Sequence, residues 1–199
     1  MTAFFTRYYK KSSFVSYFSS LSLASICLYA SLALAGASSL HINNAEIIQA
    51  DDYFLLNADM EIVFSSEVEQ ALNKGVPLNF LTEFQITTPR KYWFDDEIIT
   101  ISRSVTLSYH ALSRQYLLTA SKHQQSFSTL QEAKDELAHL KDWQVFDKSI
   151  LKKNETYHAA LRMRLDQSKL PKPLQVDAIG SEDWSMVSQR YSWTPVFNL

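Results

Sequence analysis

Apolar and polar residues alternate with period two along most of the chain after residue 42, which predicts β-strands with one dry face and one wet face. The pattern is clearest in residues 54–64, 78–86, 98–110 and 157–165. In residues 98–110 the positions predicted to face inward are Ile99, Ile101, Val105, Leu107 and Tyr109. Shorter strands are predicted at residues 45–50, 116–120, 143–146, 174–179 and 186–193. Such one-sided strands are typical of antiparallel sheets.

Two segments have helical spacing instead. The first begins at Ser66, where Glu69 completes a capping box, and ends at Gly75 and Pro77, with an apolar face of Val68, Ala71 and Leu72. The second runs from Ser128 to about Lys141, is expected to be capped by Ser128 with Gln131, and has an apolar stripe of Leu130, Ala133, Leu137 and Leu140. Together the elements predict a mainly β fold, either an antiparallel β-sandwich or a partly open barrel, with two short helices after an N-terminal signal segment.

The N-terminal segment predicts the location of the protein. Arg7, Lys10 and Lys11 precede an apolar stretch that is densest from residue 21 to 34, and small residues stand at Ala33 and Ala35. This order is typical of a secretory signal, so we predict a signal peptide over residues 1–35 and one exported, periplasmic β-rich domain over residues 36–199. The alternative is an uncleaved anchor in the inner membrane, because residues 14–35 are long enough to span a bilayer. Several serines in that stretch favour cleavage.

Composition narrows the classes of function. Removal of residues 1–35 takes away three of the 19 basic residues and none of the 21 acidic ones, which leaves a formal charge of −5. A moderately acidic domain without a basic run is not expected to bind nucleic acid. The only cysteine, Cys27, leaves with the signal segment. We therefore expect neither a disulfide nor thiol catalysis in the exported domain.

Local catalytic signatures are missing from the sequence. None of the five histidines lies within five residues of another, and there is no Gly-x-Ser-x-Gly motif. Three glycines are too few for a phosphate-binding loop. We expect no metal and no cofactor, and an enzymatic activity is not indicated. One enzymatic alternative remains, a glycan-directed enzyme in which Asp95, Asp96 or Glu97 acts with a second carboxylate.

The candidate binding residues are Tyr92, Trp93, Phe94, Asp95 and Arg103. The three consecutive rings lie between basic and acidic residues on a segment that joins two strong strands, a composition that contact surfaces favour. The pattern favours a structural alternative, in which Tyr92 and Phe94 plug the core and Trp93 is on the surface. Arg103 occupies an inward position and is interpreted as a residue at a strand end whose stem packs while its head reaches water. An ion pair that lines a ligand pocket is the alternative.

Several stretches resemble an exported proteobacterial family that is known only as a domain of unknown function, similar to DUF4390. The resemblance rests on residues 71–78, 92–95, 104–109, 114–116, 126–130, 162–166 and 170–173, and it covers about residues 45–184. It implies an exported protein and supplies no activity, ligand or catalytic residue.

The sequence thus predicts an exported protein, a non-enzymatic binding or accessory module of the cell envelope. Its expected partner is an envelope protein or another envelope component, and a membrane only if the leader is retained as an anchor. A small-ligand binder is the further alternative. It requires a pocket lined by Arg103.

Overall fold

A computed structural model describes residues 37–197. The predicted signal segment, residues 1–35, lies outside the described residues. The strands are β1 (Ser39–Gln49), β2 (Tyr53–Val63), β3 (Leu78–Thr88), β4 (Asp96–His110), β5 (Gln115–Ala120), β6 (His123–Phe127), β7 (His139–Asp147), β8 (His158–Leu165) and β9 (Tyr191–Trp193). The helices are α1 (Ser66–Asn73), α2 (Leu130–Ala138) and α3 (Lys172–Ala178), with short 3-10 turns at Lys148–Ile150 and Gln167–Lys169.

The strands form two sheets in which every pairing is antiparallel. Sheet 1 has the order β1-β2-β7, and sheet 2 has the order β6-β5-β4-β3-β8-β9. Over residues 37–197 the sheets do not close into a barrel. The prediction of a mainly β fold, an antiparallel β-sandwich or partly open barrel, is confirmed, with two sheets and no closed barrel among the described residues.

The inner faces of the two sheets share one hydrophobic core. Phe84 of β3 stacks on Phe146 of β7 with ring centroids 6.2 Å apart. Phe64, just after β2, stacks on Phe80 of β3 at 6.0 Å. The inward positions predicted in residues 54–64, 78–86 and 157–165 are all buried. The period-two alternation therefore identified the dry face of these strands correctly.

Strand β4 is covered less completely. Of its predicted inward residues only Leu107 is buried, and the others are half-buried. Sheet 2 has six strands and sheet 1 has three, so part of the inner face of sheet 2 has no strand opposite it. Helix α2 joins β6, an edge of sheet 2, to β7, an edge of sheet 1. This connection places the helix across the side where the shorter sheet ends.

Both predicted helices exist, but each cap is shifted by one residue. Helix α1 is capped by Ser65, whose Oγ accepts from the Val68 N–H at 3.4 Å. Helix α2 is capped by Thr129, which forms a capping box with Glu132. Two adjacent hydroxyl residues stand at the start of each helix, Ser65 and Ser66 at α1 and Ser128 and Thr129 at α2, and the local pattern does not distinguish between them. The predicted end at Gly75 is consistent with its φ of +92°, a conformation that favours glycine.

Several predictions of elements and boundaries were wrong. Strand β1 begins at Ser39 rather than at residue 45, and β6 was not predicted. Helix α2 ends at Ala138 rather than near residue 141, because Leu140 pairs with Ala58 in sheet 1. Residues 174–179 were predicted as a strand, but most of them belong to helix α3, in which Pro173 occupies the first turn where a proline is tolerated. The predicted strand over residues 186–193 is reduced to a bridge at Val187 and the short β9. None of the helices within residues 37–197 has both the length and the apolar character needed to cross a bilayer.

Candidate functional site

A hairpin carries the predicted aromatic segment beyond the end of sheet 2. Strands β3 and β4 pair from Leu78 opposite Leu107 to Thr88 opposite Asp96, and residues 89–95 form the connecting loop. At its tip Tyr92 is 87 % exposed, Trp93 77 % and Phe94 88 %. We call these three residues the aromatic tip. They form the largest continuous run of exposed rings within residues 37–197.

The exposure contradicts the structural prediction for this segment. Tyr92 and Phe94 were expected to plug the core, and both are more exposed than Trp93. Other rings pack in the core instead. The Phe54 ring contacts the rings of Phe146 and Phe197, with centroids 4.9 and 4.8 Å away. With those rings in place, the loop has no apolar position to fill.

Polar contacts fix the base of the aromatic tip. The Arg90 guanidinium forms an ion pair with the Asp96 carboxylate, and the Arg90 backbone N–H donates to Asp95 Oδ1 at 3.3 Å. Asp95 Oδ2 lies 3.9 Å from His158 Nδ1 on β8, the strand on the other side of β3. At the tip itself, Lys91 Nζ lies 5.6 Å from the centroid of the Tyr92 ring. The candidate residue Asp95 therefore anchors the loop.

The acidic cluster beside the aromatic tip has structural partners. Asp95 and Asp96 make the contacts just described, and Glu97 Oε2 accepts from Gln85 Nε2 at 3.0 Å. Glu97 is exposed on β4, and none of the three carboxylates lines the cavity or the groove described below. A glycosidase needs two carboxyl groups that face each other across a cleft. The contacts of Asp95, Asp96 and Glu97 give no support to that alternative.

A second candidate site lies beneath helix α2. A cavity of about 160 Å³ opens between the sheets where sheet 1 ends. Its apolar lining comes from seven residues on six elements: Met60, Val105, Leu118, Ala120, Leu137, Leu140 and Met163. Its polar lining is Thr82, Arg103, His123, Gln125, Glu136, His139 and Lys141. We call this space the inter-sheet cavity.

A wider groove lies next to the cavity, between the edges of the two sheets. The β5 strand pairs only with residues 105–110 of β4, so residues 96–104 of β4 have no strand on that side within the described chain. Strand β7, the edge of sheet 1, borders the same opening. The groove has a volume of about 620 Å³ and carries mainly hydroxyl and amide side chains: Ser102, Ser104, Thr106, Thr119, Ser121, Asp142, Trp143 and Gln144. We call it the edge groove.

Arg103 lines both spaces, and so does Ala120. Arg103 is half-buried in the middle of β4, so it is not the strand-end residue that the sequence favoured. Within residues 37–197 its guanidinium has no carboxylate within 4.0 Å, although Glu136 lines the cavity and Asp142 the groove. The pocket lined by Arg103, which the small-ligand alternative required, is present.

No local motif in the sequence marked the other residues of the cavity as a binding site. Val105, Leu137 and Leu140 were predicted only as apolar positions. They lie on eight elements, from β2 to β8, and only the tertiary fold brings them together. His139 makes two polar contacts. Its Nδ1 lies 2.6 Å from the Asp135 carbonyl oxygen, and its Nε2 lies 3.7 Å from Asp59 Oδ1. Over residues 37–197 no group of three histidine, cysteine or acidic side chains has the proximity of a metal site.

Comparison with known proteins places most of the chain in one family. Residues 37–194 match the family model described as Domain of unknown function (DUF4390). No curated protein and no solved structure matches the chain significantly. The matched range contains the aromatic tip, the inter-sheet cavity and the edge groove.

Proposed function

The chain belongs to the DUF4390 family, a domain of unknown function, and on that premise we propose that the protein is an exported, non-enzymatic binding module of the cell envelope. Its partner is an envelope protein, which it contacts through the aromatic tip. The observation that carries the proposal is the exposure of three consecutive rings, between 77 and 88 %, on one hairpin loop.

The composition of the aromatic tip supports a protein contact. Aromatic side chains are enriched among the few residues that dominate binding energy, because a ring buries a large area while ordering few torsions. Three adjacent rings could together bury several hundred Å² against a partner. Exposed apolar residues that occur singly need no such explanation, but a run of three does.

The anchored base supports the same role. The contacts of Arg90 with Asp95 and Asp96, and of Asp95 with His158, join the loop to β4 and β8. A loop that is already ordered loses less conformational entropy when a partner binds. These contacts connect the base of the tip, at Arg90 and Asp95, to β4 and β8.

Export is the second part of the proposal and depends on residues 1–35. The basic head, the apolar stretch and the small residues at Ala33 and Ala35 support it. A fusion of alkaline phosphatase after residue 199 tests it, because that enzyme is active only outside the cytosol. Strong phosphatase activity that is lost when the apolar stretch is deleted is the expected result, and an inactive fusion refutes export.

The partner contact is tested by photo-crosslinking in intact cells. A photoreactive amino acid replaces Trp93 in one variant and Leu112 in a control. Leu112 is 93 % exposed but lies in the β4–β5 turn, at the opposite end of β4. We expect one discrete protein adduct from position 93 and none of the same mass from position 112.

The adduct is then identified and the pair is measured with purified proteins. Substitution of all three rings by alanine should weaken binding at least 100-fold, while the Leu112→Ala control leaves it unchanged. Equal adducts from both positions, or full binding by the triple variant, would refute the assignment of the aromatic tip. A crosslink to lipid alone would refute the protein partner and assign the tip to a membrane surface.

A further inference from the structure

The inter-sheet cavity and the edge groove form a second site, independent of the aromatic tip. We propose that they bind a small anionic amphiphile. Its apolar tail occupies the inter-sheet cavity, and its carboxylate or phosphate head lies against the Arg103 guanidinium where the cavity meets the edge groove. A free fatty acid and a phospholipid fragment share this chemistry.

The cavity has the size and lining of a tail site. Its volume is about 160 Å³, close to the roughly 150 Å³ of an apolar cavity that accepts benzene, so it holds about six carbon atoms. Met60, Leu118 and Met163 are buried on three different strands around it. Two of these are methionines, whose unbranched side chains adapt to ligands of different shape.

The position of Arg103 indicates the charge of the head. A half-buried guanidinium loses part of its hydration and is normally paired with an acid. Within residues 37–197 Arg103 forms neither an ion pair nor a side-chain hydrogen bond. The Arg103 nitrogens are not among the fully buried, unpaired side-chain atoms of residues 37–197, so water reaches them. An anionic head would replace that water, and a guanidinium can hold a carboxylate or a phosphate through two parallel hydrogen bonds.

The edge groove provides room for the head. Ser104 and Thr119 offer hydroxyl groups beside Arg103, and Gln144 offers an amide across the groove. The cavity lining also holds Glu136 and the Lys141 ammonium, and the groove lining holds Asp142, so Arg103 is the cation that both linings share.

The test uses protein purified as cells produce it, in detergent-free buffer, with methionine labelled at the 13C-methyl group. Met60 and Met163 report on the cavity, and Met186, which is buried but does not line it, is the internal control. The probes are hexanoate, hexyl phosphate, 1-hexanol and acetate, which separate the contributions of tail and head.

We expect hexanoate, hexyl phosphate or both to shift the Met60 and Met163 resonances and to leave Met186 in place. The affinity of the charged probe should exceed that of 1-hexanol at least tenfold, and acetate should not bind measurably. Binding of hexanoate alone identifies a fatty acid, and binding of hexyl phosphate alone identifies a phosphate ester. The proposal fails if neither charged probe shifts Met60 and Met163, or if 1-hexanol binds as tightly as the charged probes.

Variants locate the head and the tail. Arg103→Gln should reduce the affinity of the charged probe at least tenfold, to about that of 1-hexanol, and Arg103→Lys should retain part of it. Arg162→Gln, at an exposed position on β8, is the matched control and should have no effect. Ala120→Leu adds bulk where both spaces meet and should abolish binding of every probe. An unchanged Met186 resonance shows that a variant is folded, and unchanged hexanoate and hexyl phosphate affinities in folded Arg103→Gln would overturn the proposal.

Discussion

Substitution of Phe94 by alanine should barely change the stability of the fold, whereas the same substitution at Phe84 should be severe. Phe94 is 88 % exposed. Of the roughly 200 Å² that a phenylalanine side chain can bury, only about 25 Å² is covered there. At about 25 cal/mol per Å² this area is worth about 0.6 kcal/mol. The figure is an upper bound because an extended reference chain overstates the area buried on folding.

Phe84 is fully buried and stacks on Phe146. Its replacement by alanine removes the ring and leaves a void between the sheets, which costs about 3–5 kcal/mol. For a domain of this size the melting temperature falls by about 2–4 °C per kcal/mol, so we expect a decrease of about 6–20 °C for Phe84→Ala and about 2 °C or less for Phe94→Ala.

Urea unfolding followed by far-ultraviolet circular dichroism measures both variants, and an unchanged slope confirms that the midpoints report stability. If Phe94→Ala loses more than about 2 kcal/mol, the ring is buried and the core-plug interpretation is correct after all. The aromatic tip would then no longer be a free surface, and the proposed contact with a partner would lose its basis.

Two further predictions concern contacts that hold α1. Trp184 is fully buried, and its Nε1–H donates to Glu67 Oε1 at 2.6 Å. Trp184→Phe should therefore lower the free energy of unfolding by at least about 1.5–3 kcal/mol. Glu67→Gln keeps an acceptor and should lower it less, and equal losses in the two variants would contradict the assigned bond. The pKa of Tyr116 is raised above its ordinary value by burial, with smaller contributions from Tyr109 and Glu69. The folded state therefore holds this proton more tightly than the unfolded state. The contribution of Tyr116 to stability should be fully present below about pH 10 and be lost as the pH rises through the folded pKa. Urea midpoints measured from pH 8 to 11 should decline less steeply in Tyr116→Phe, and parallel declines would show that this phenol does not contribute.

Most of the strands, two of the three helices and the buried faces of the long strands could be read from local sequence alone. Alternation with period two in residues 54–64, 78–86 and 157–165 identified the buried side of each strand, because successive side chains point to opposite faces of a sheet whatever its neighbours are. Helical spacing identified α1 and α2, because residues three and four positions apart lie on the same face of a helix. At adjacent hydroxyl residues the predicted helix caps were wrong by one residue, and residues 174–179 were assigned to a strand although most of them are helical.

Which strands are neighbours, and what the candidate residues contact, followed from the packing of distant segments. Periodicity does not say that β7 joins β2 in sheet 1 while β3 to β6 remain in sheet 2. That partition leaves the smaller sheet short and opens the cavity beside Arg103. It also fills the core with rings such as Phe146 and Phe197, and Tyr92 and Phe94 remain in solvent. A ring is buried only where the packing of distant segments leaves space for it, and local sequence does not contain that information.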